Sequence, residues 1–308
     1  MKQNKEHKGR EGRSMGQRKV VLITGASTGL GLSLAKRLIE IDKYHLILTA
    51  RESSLSRFSE VPIIENEHLW IRKLDIEEHK DMYDLIAELN TKLGGVDILI
   101  NNAGVSYRSV VEHVTEKELE KQMSINFKSP LELIRLVLPR MRKKACGKII
   151  NISSVGGMMA MPTMAIYSAS KFALEGASES LWYELKPYGI SVTLVQPGFI
   201  NSDSFSKTRL TQLAEKSFKD TKLSYHNHYK NMANFIQFMM RHTPVRKNDV
   251  SMTILKIMEQ KNPPLRVAGS FDAWLFGALR RVLPRSIYHW FLYKNLPGIK
   301  EWGREYKP

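Results

Sequence analysis

Residues 19–24 read Lys-Val-Val-Leu-Ile-Thr, and Gly25, Ala26, Ser27, Thr28, Gly29, Leu30 and Gly31 follow without a spacer. A helical pattern then runs from about residue 30 to 41. A short β-branched apolar run of this kind is a strand buried on both faces. A glycine turn between that strand and a helix aims backbone N–H groups and the helix N-terminus at one point in space. That geometry receives a phosphate. The spacing is G-x-x-x-G-x-G, not the G-x-G-x-x-G of many dinucleotide folds. Glycine is common in any tight strand–helix connection, so its place directly after the first strand carries the pyrophosphate reading.

The alternation continues. Strands are predicted over residues 44–50, 69–74, 96–100, 148–152 and 190–195, with a last one near 265–268. Helices are predicted over 81–93, 115–143 and 165–185, and the long middle one carries Pro130 and Pro139 as kink points. Strands and helices of these lengths in turn mean βαβ units on a parallel sheet, an α/β doubly wound fold. Ligands of such folds lie at the carboxyl ends of the strands. There the chain places Arg51, Asp75, the run Asn101-Asn102-Ala103-Gly104, Ser153-Ser154, and Gln196-Pro197-Gly198. At the end of the second strand an acid grips a ribose 2′-hydroxyl, whereas an arginine accommodates a 2′-phosphate. Arg51 stands there, with Glu52 next.

One cysteine among 308 residues excludes an intrachain disulfide, and Cys/His metal-ligand spacing is absent. Nothing points to an oxidising compartment. The net charge of +16 is concentrated toward the ends. Residues 1–18 read as a disordered basic arm without the apolar centre of a signal peptide. Charge alone also allows a nucleic-acid binder, but the core carries no recognition motif for one.

Tyr167 and Lys171 stand four residues apart within the predicted helix 165–185. Side chains at i and i+4 share a helix face. An ammonium beside a phenol favours the phenolate and brings it toward acid–base work near neutrality. The spacing alone also describes an ordinary surface pair. What singles it out is the company. The glycine turn, Asn101-Asn102-Ala103-Gly104, Ser154 thirteen residues ahead of Tyr167, Tyr167-x-x-x-Lys171, and Pro197-Gly198 occur in one order along residues 19–203. With these motifs the chain resembles the short-chain dehydrogenase/reductase family.

The resemblance implies a single Rossmann-like catalytic domain over residues 19–270 with about seven parallel strands. It implies a hydride transfer between a nicotinamide and an alcohol or carbonyl. Tyr167 would be the general acid in reduction and base in oxidation. Lys171 would lower its pKa and hold the nicotinamide ribose. Ser154 would orient the substrate oxygen, and Asn126 would hold a water linking Lys171 to solvent. Gly25, Ser27, Gly29, Leu30 and Gly31 would line the phosphates, and Asp75 the adenine. Asn102, Ala103 and Gly104 would lie by the adenosine ribose, and Pro197, Gly198 and Ile200 near the nicotinamide. Arg51 resembles the basic residue of NADP-preferring members, so NADP(H) is expected over NAD(H). Family analogy also implies a homodimer or tetramer.

Two regions lie outside the motifs. Residues 204–260 are long for one crossover and carry Phe235, Phe238, Met239 and Met240. They read as a helical lid for a small hydrophobic substrate of the steroid, retinoid or long-chain lipid type. Met158, Met159, Met161 and Met164 are either a greasy wall or ordinary core filling. Residues 271–308 form an amphipathic extension. Trp274, Leu275, Leu279 and Val282 recur at helical spacing beside Arg280, Arg281 and Arg285, with Trp290 and Tyr293 beyond. That composition fits a membrane-surface helix, and equally a subunit contact or a substrate mouth. The expectation is a cytoplasmic enzyme, peripheral on a membrane. The competing reading is a non-catalytic NADP-binding sensor or interaction module, which need not keep Ser154, Tyr167, Lys171 and Asn126 together.

Overall fold

The computed structural model describes residues 18–201 and 209–303. Residues 1–17 of the expected basic arm at 1–18 lie outside them, as do residues 202–208, with the first part of the expected lid at 204–260, and residues 304–308. Strand β1 is Lys19–Ile23, followed by α1 Gly29–Ile41 and β2 Tyr44–Ala50. Then come α2 Ser56–Glu60, β3 Leu69–Lys73, α3 His79–Leu93, β4 Ile98–Asn101 and the short β5 Tyr107–Arg108. Alternate residues of β1 enter two separate cores. Val21 and Ile23 pack with α1, and Val20 and Leu22 pack with α3 on the opposite face. A period of two on a sheet buried on both sides requires this arrangement.

The second half comprises α4 Glu116–Met123, α5 Ser129–Lys144, β6 Gly147–Ile152, α6 Ala165–Leu185 and β7 Ile190–Gln196. It continues with β8 Arg209–Leu210, α7 Gln212–Lys219, α8 His226–His242, α9 Lys247–Glu259 and β9 Arg266–Ala268. Helices α10 Phe271–Val282 and α11 Arg285–Lys294 complete it. Seven strands form one sheet in the order β3-β2-β1-β4-β6-β7-β9, and every pairing in it is parallel. The order reverses between β1 and β4, where a doubly wound sheet opens its ligand crevice.

The structure differs from the sequence expectation at two places. The helical stretch expected over residues 115–143, with kink points at Pro130 and Pro139, is instead divided by a π-helical turn, Ser124–Lys128. Pro130 enters the first turn of α5, where a missing N–H costs nothing, and Pro139 lies inside that helix. The stretch expected as a lid is of two kinds. Helix α9 packs Val250, Ile254 and Met258 into the same core as α1, whereas α8 packs Met232 and Ile236 with Met164 and Phe199.

Candidate active site

Two adjoining hollows open along the carboxyl ends of the central strands. The first, about 290 Å³, is lined by Gly25, Ser27, Leu30, Arg51, Asp75, Asn102 and Ala103, among others. The second, about 520 Å³, runs past Gly29 and Gly104 to Ser154, Tyr167, Lys171, Pro197, Gly198 and Ile200. Thr28, Leu30, Arg51, Asn102, Gly104 and Val105 border both, so the two make one groove. Residues from seven segments of the chain therefore meet on one wall. Gly31 and Asn126 stand behind it.

The glycine turn shapes the first hollow. A Cβ on Gly31 would lie 2.4 Å from the Gly25 carbonyl oxygen and 2.5 Å from Asn102 Nδ2. Only a hydrogen fits between turn and helix there. Asn102 Nδ2 donates to Thr24 O at 2.9 Å and Gly25 O at 3.0 Å, and Thr24 Oγ1 accepts from the N–H groups of Asn102 and Ala103 at 3.0 Å each. The end of β4 thus locks the turn after β1. Gly29, at φ +62°, has open space where a Cβ would stand. Thr28 offers α1 no side-chain cap, and the first turn holds no acidic residue. An uncapped helix N-terminus facing a bare turn fits a pyrophosphate.

The second hollow contains the titratable groups. A buried ladder positions α6: Asn101 Nδ2 donates to Asn151 Oδ1 at 2.8 Å, and Asn151 Nδ2 to Ser178 Oγ at 2.9 Å. Ser154 caps a short 3₁₀ turn, Val155–Gly157, and its Oγ accepts from Gly156 N at 3.0 Å. A Cβ on Gly156 would stand 2.9 Å from the Tyr167 ring, so glycine there lets the phenol lie against the Ser154 turn. Lys171 is buried, and its Nζ donates to Ile152 O at 2.8 Å. Burial pushes its ammonium down to about 8, against the pull of Glu175 one turn along. Glu175 is itself held by Gln196 Nε2 and Arg266 Nε, at 2.9 Å each.

The Tyr167 phenol differs from the sequence expectation. Burial raises it above its ordinary value, and the groups opposing that rise are the Ser154 hydroxyl and the Arg108 guanidinium. The pair spacing predicts Lys171 as the relieving charge. Its ammonium instead rests on the Ile152 carbonyl. Asn126 lies in the π-helical turn, almost fully buried. Its Oδ1 accepts from Val105 N, and its Nδ2 donates to Val105 O, at 2.9 Å each, and to Ser170 Oγ at 3.0 Å.

Sequence reasoning missed Arg57 in the first hollow and Arg209 and Lys247 in the second. None of them sits in a spacing pattern, and each arrives through tertiary packing of a different helix or strand. Of the four methionines at 158–164, Met158 and Met159 pack with α10, Met164 packs with α8, and Met161 borders both clusters.

A family model described as short chain dehydrogenase matches residues 19–213. A 3-ketodihydrosphingosine reductase from Bacteroides thetaiotaomicron is 32% identical over 277 residues, 90% of this chain and 97% of its own. Retinol dehydrogenase 8 from Bos taurus is 30% identical over 254 residues, 80% of each chain. The crystal structure of a short-chain dehydrogenase from Streptomyces avermitilis has a TM-score of 0.74 at 27% identity, covering 91% of this chain and 97% of that one. The locked glycine turn, the Ser154–Tyr167–Lys171 cluster and the seven-stranded parallel sheet agree with these likenesses, and the chain belongs to the short chain dehydrogenase family.

Proposed function

We propose that the protein is an NADP(H)-dependent oxidoreductase acting on a hydrophobic alcohol or carbonyl compound, with Tyr167 as general acid and base. The carrying observation is the surroundings of Tyr167. Tyr167 packs against a buried apolar cluster of Met164, Phe199, Met232 and Ile236, which Met161, Phe235, Met239 and Trp302 also border, while the same residue lines the polar groove. An apolar body with one reactive oxygen suits that boundary. A steroid, a retinoid or a long-chain lipid carbonyl has this form. The names of the two relatives, a ketodihydrosphingosine reductase and a retinol dehydrogenase, fit the class.

The cofactor would lie along the groove, its phosphates on the Gly25–Gly31 turn. Arg51 at the end of β2 and Arg57 in α2 favour NADP(H), since a guanidinium makes charge-assisted hydrogen bonds to a phosphate. When bound, the nicotinamide supplies or accepts the hydride. In reduction, Ser154 would hold the carbonyl oxygen and Tyr167 would give it a proton. In oxidation the phenolate takes the hydroxyl proton. Lys171, anchored on the Ile152 carbonyl, would hold the nicotinamide ribose. The experiment is an NADPH oxidation screen over 3-ketosteroids, all-trans-retinal and long-chain 3-ketones, with and without detergent. Turnover confined to short polar carbonyls would overturn the substrate class, and a bound but unused cofactor would favour the sensor reading.

A second observation favours contact with an anionic membrane surface. Helices α10 and α11 turn Ala273, Phe276, Leu279 and Tyr288 inward against Val155 and Met159. Outward they leave Phe271 70%, Trp274 57%, Val282 80% and Trp290 62% exposed, near Arg280, Arg281 and Arg285. Among the described residues no helix is long and apolar enough to cross a membrane. Surface-lying helices of this kind bury their apolar face at the headgroup boundary, and each nearby cation adds about 1 kcal/mol on an anionic leaflet. Sedimentation with anionic liposomes at low salt, weakened at high salt, is the expected result. Protein that stays in the supernatant but runs as a dimer would assign the face to a second copy.

A further inference from the structure

The groove contains a cation that the motifs do not explain. Arg51, Lys171, Arg209 and Lys247 line its second hollow, and among the described residues no acid does. Arg51 and Lys171 have places in the cofactor reading given above. Arg209 is held on β8, where its main-chain N–H donates to Ser106 O at 3.1 Å and its Nη1 to Tyr107 Oη at 3.4 Å. Lys247 remains. It opens α9, and three contacts fix that first turn beside the start of α1 and the loop after β7. Ser251 Oγ, one turn along from Lys247, lies 3.0 Å from Ser33 Oγ of α1. Arg37 Nη2 donates to Asn248 Oδ1 at 3.1 Å, and Val245 O accepts from Asn201 N at 2.8 Å. Ser251 is fully buried, and Val250 and Ile254 lie in one core with Leu34 and Leu38. Lys247 thereby shares a wall of the hollow with Thr28, Gly29, Leu30 and Ile200.

We propose that Lys247 is a cofactor-binding residue whose ammonium holds the pyrophosphate that the glycine turn meets with main-chain N–H groups. This rests on the NADP(H) reading above and adds a residue to it. Without an anion the arrangement is unfavourable twice. The uncapped N-terminus of α1 carries partial positive charge, and a cation in the first turn of α9 stands at the wrong end of that helix's own dipole. Asp249 is the acid suited to that turn, and its Oδ2 accepts from Arg246 N at 2.7 Å. No ion pair among the described residues involves Lys247. A pyrophosphate turns both repulsions into attraction, because it accepts from the α1 N–H groups and from the ammonium together. Position distinguishes this from 2′-phosphate recognition. Lys247 lines the second hollow with Pro197, Gly198 and Ile200, whereas Arg57 and Asp75 line the first.

The test needs no turnover. Full-length protein is titrated with NADPH and with NADH by fluorescence, and its thermal midpoint is read without cofactor. Lys247→Met should weaken both cofactors by about tenfold, the loss of one charge-assisted contact. That loss should shrink at high salt, and Lys247→Arg should recover most of the affinity. The cofactor-free midpoint should not fall in Lys247→Met, and it should rise in Lys247→Glu, which puts an acid beside two helix N-termini. Wild-type affinity for both cofactors in Lys247→Met overturns the proposal. So does a loss confined to NADPH, which would assign the ammonium to the 2′-phosphate beside Arg51. A cofactor-free midpoint that falls together with affinity overturns it as well, and marks Lys247 as structural. If Lys247→Met does not fold, the same titrations of Lys247→Gln decide. A wild-type protein that binds neither cofactor fails the NADP(H) reading itself, a result distinct from an unchanged variant.

Discussion

The two ends of the groove are built differently. At the β1–α1 end the surface is mostly main chain: a glycine turn whose Thr24 and Gly25 carbonyls accept from Asn102 Nδ2, and an uncapped helix N-terminus. Eleven residues of contiguous sequence, 21–31, produce most of it. At the Tyr167 end side chains enter the surface, and it is assembled from α6, residues 105–106, the turn after β6, the loop after β7, β8 and α9. Gly198 N donates to Ser270 Oγ and Phe199 N to Asp272 Oδ2, at 2.9 Å each, so the start of the C-terminal extension shapes the floor by the expected nicotinamide position. The difference teaches that a ligand part common to many proteins is met by backbone, and a variable substrate is met by side chains brought from far apart.

Four measurements break or sharpen that contrast. The largest effect is expected at the side-chain end. Tyr167→Phe removes the proton donor and little else, so kcat should fall by about 10²–10⁴ while NADPH affinity, read by fluorescence titration, stays near wild type. Retention of a tenth of kcat would mean that another group moves the proton.

Next comes Arg51, the side chain that modifies the main-chain end. Arg51→Ala should weaken NADPH binding by about 10- to 150-fold, the loss of one charge-assisted hydrogen bond of about 1.5–3 kcal/mol. NADH affinity should barely change, and Arg57→Ala should act in the same direction with a smaller size. Equal losses for both cofactors would show that neither arginine reads the 2′-phosphate.

The outward face of α10 and α11 follows. Trp274→Ser with Trp290→Ser should lower partitioning onto anionic liposomes by about tenfold or more, from apolar area worth about 1.5–3 kcal/mol per fully buried large side chain. NADPH affinity should be unchanged. A chain ending at Gly269 is a poorer test, because it also removes Ser270 and Asp272 from the loop at 197–199.

The smallest effect is the pH dependence of cofactor binding. Burial holds Lys171 at about 8, so its ammonium is charged below that pH and neutral above it. The positive charge that favours an anionic cofactor is thus lost as pH rises through 8. NADPH affinity should decline by less than about tenfold between pH 7 and 9 in the wild type, and Lys171→Met should show a flat profile over that window. A wild-type profile as flat as the variant's would remove Lys171 from the binding charge.

The contrast also separates what was legible in the residues from what was not. Alternating apolar runs placed β2 at 44–50 and α6 at 165–185 with their observed bounds. The order of motifs anticipated which strand ends would meet at the groove. These features depend on local periodicity and on turns whose backbone demands glycine, and both are written in neighbouring residues. The π-helical turn at 124–128 carries no local mark. Gln122 just before it and Asn126 within it both bond the main chain at Val105 and Tyr107, contacts across 15–21 residues. Tyr167 is the clearest case. Its spacing to Lys171 correctly placed the two on one helix, yet the Lys171 ammonium is drawn onto the Ile152 carbonyl, and the guanidinium that opposes the rise of the phenol is Arg108, on a strand 59 residues earlier in a chain of 308. Periodicity specifies which face a side chain takes. Which groups share a buried site, and how far burial shifts their proton affinities, depends on the three-dimensional distances that packing alone decides.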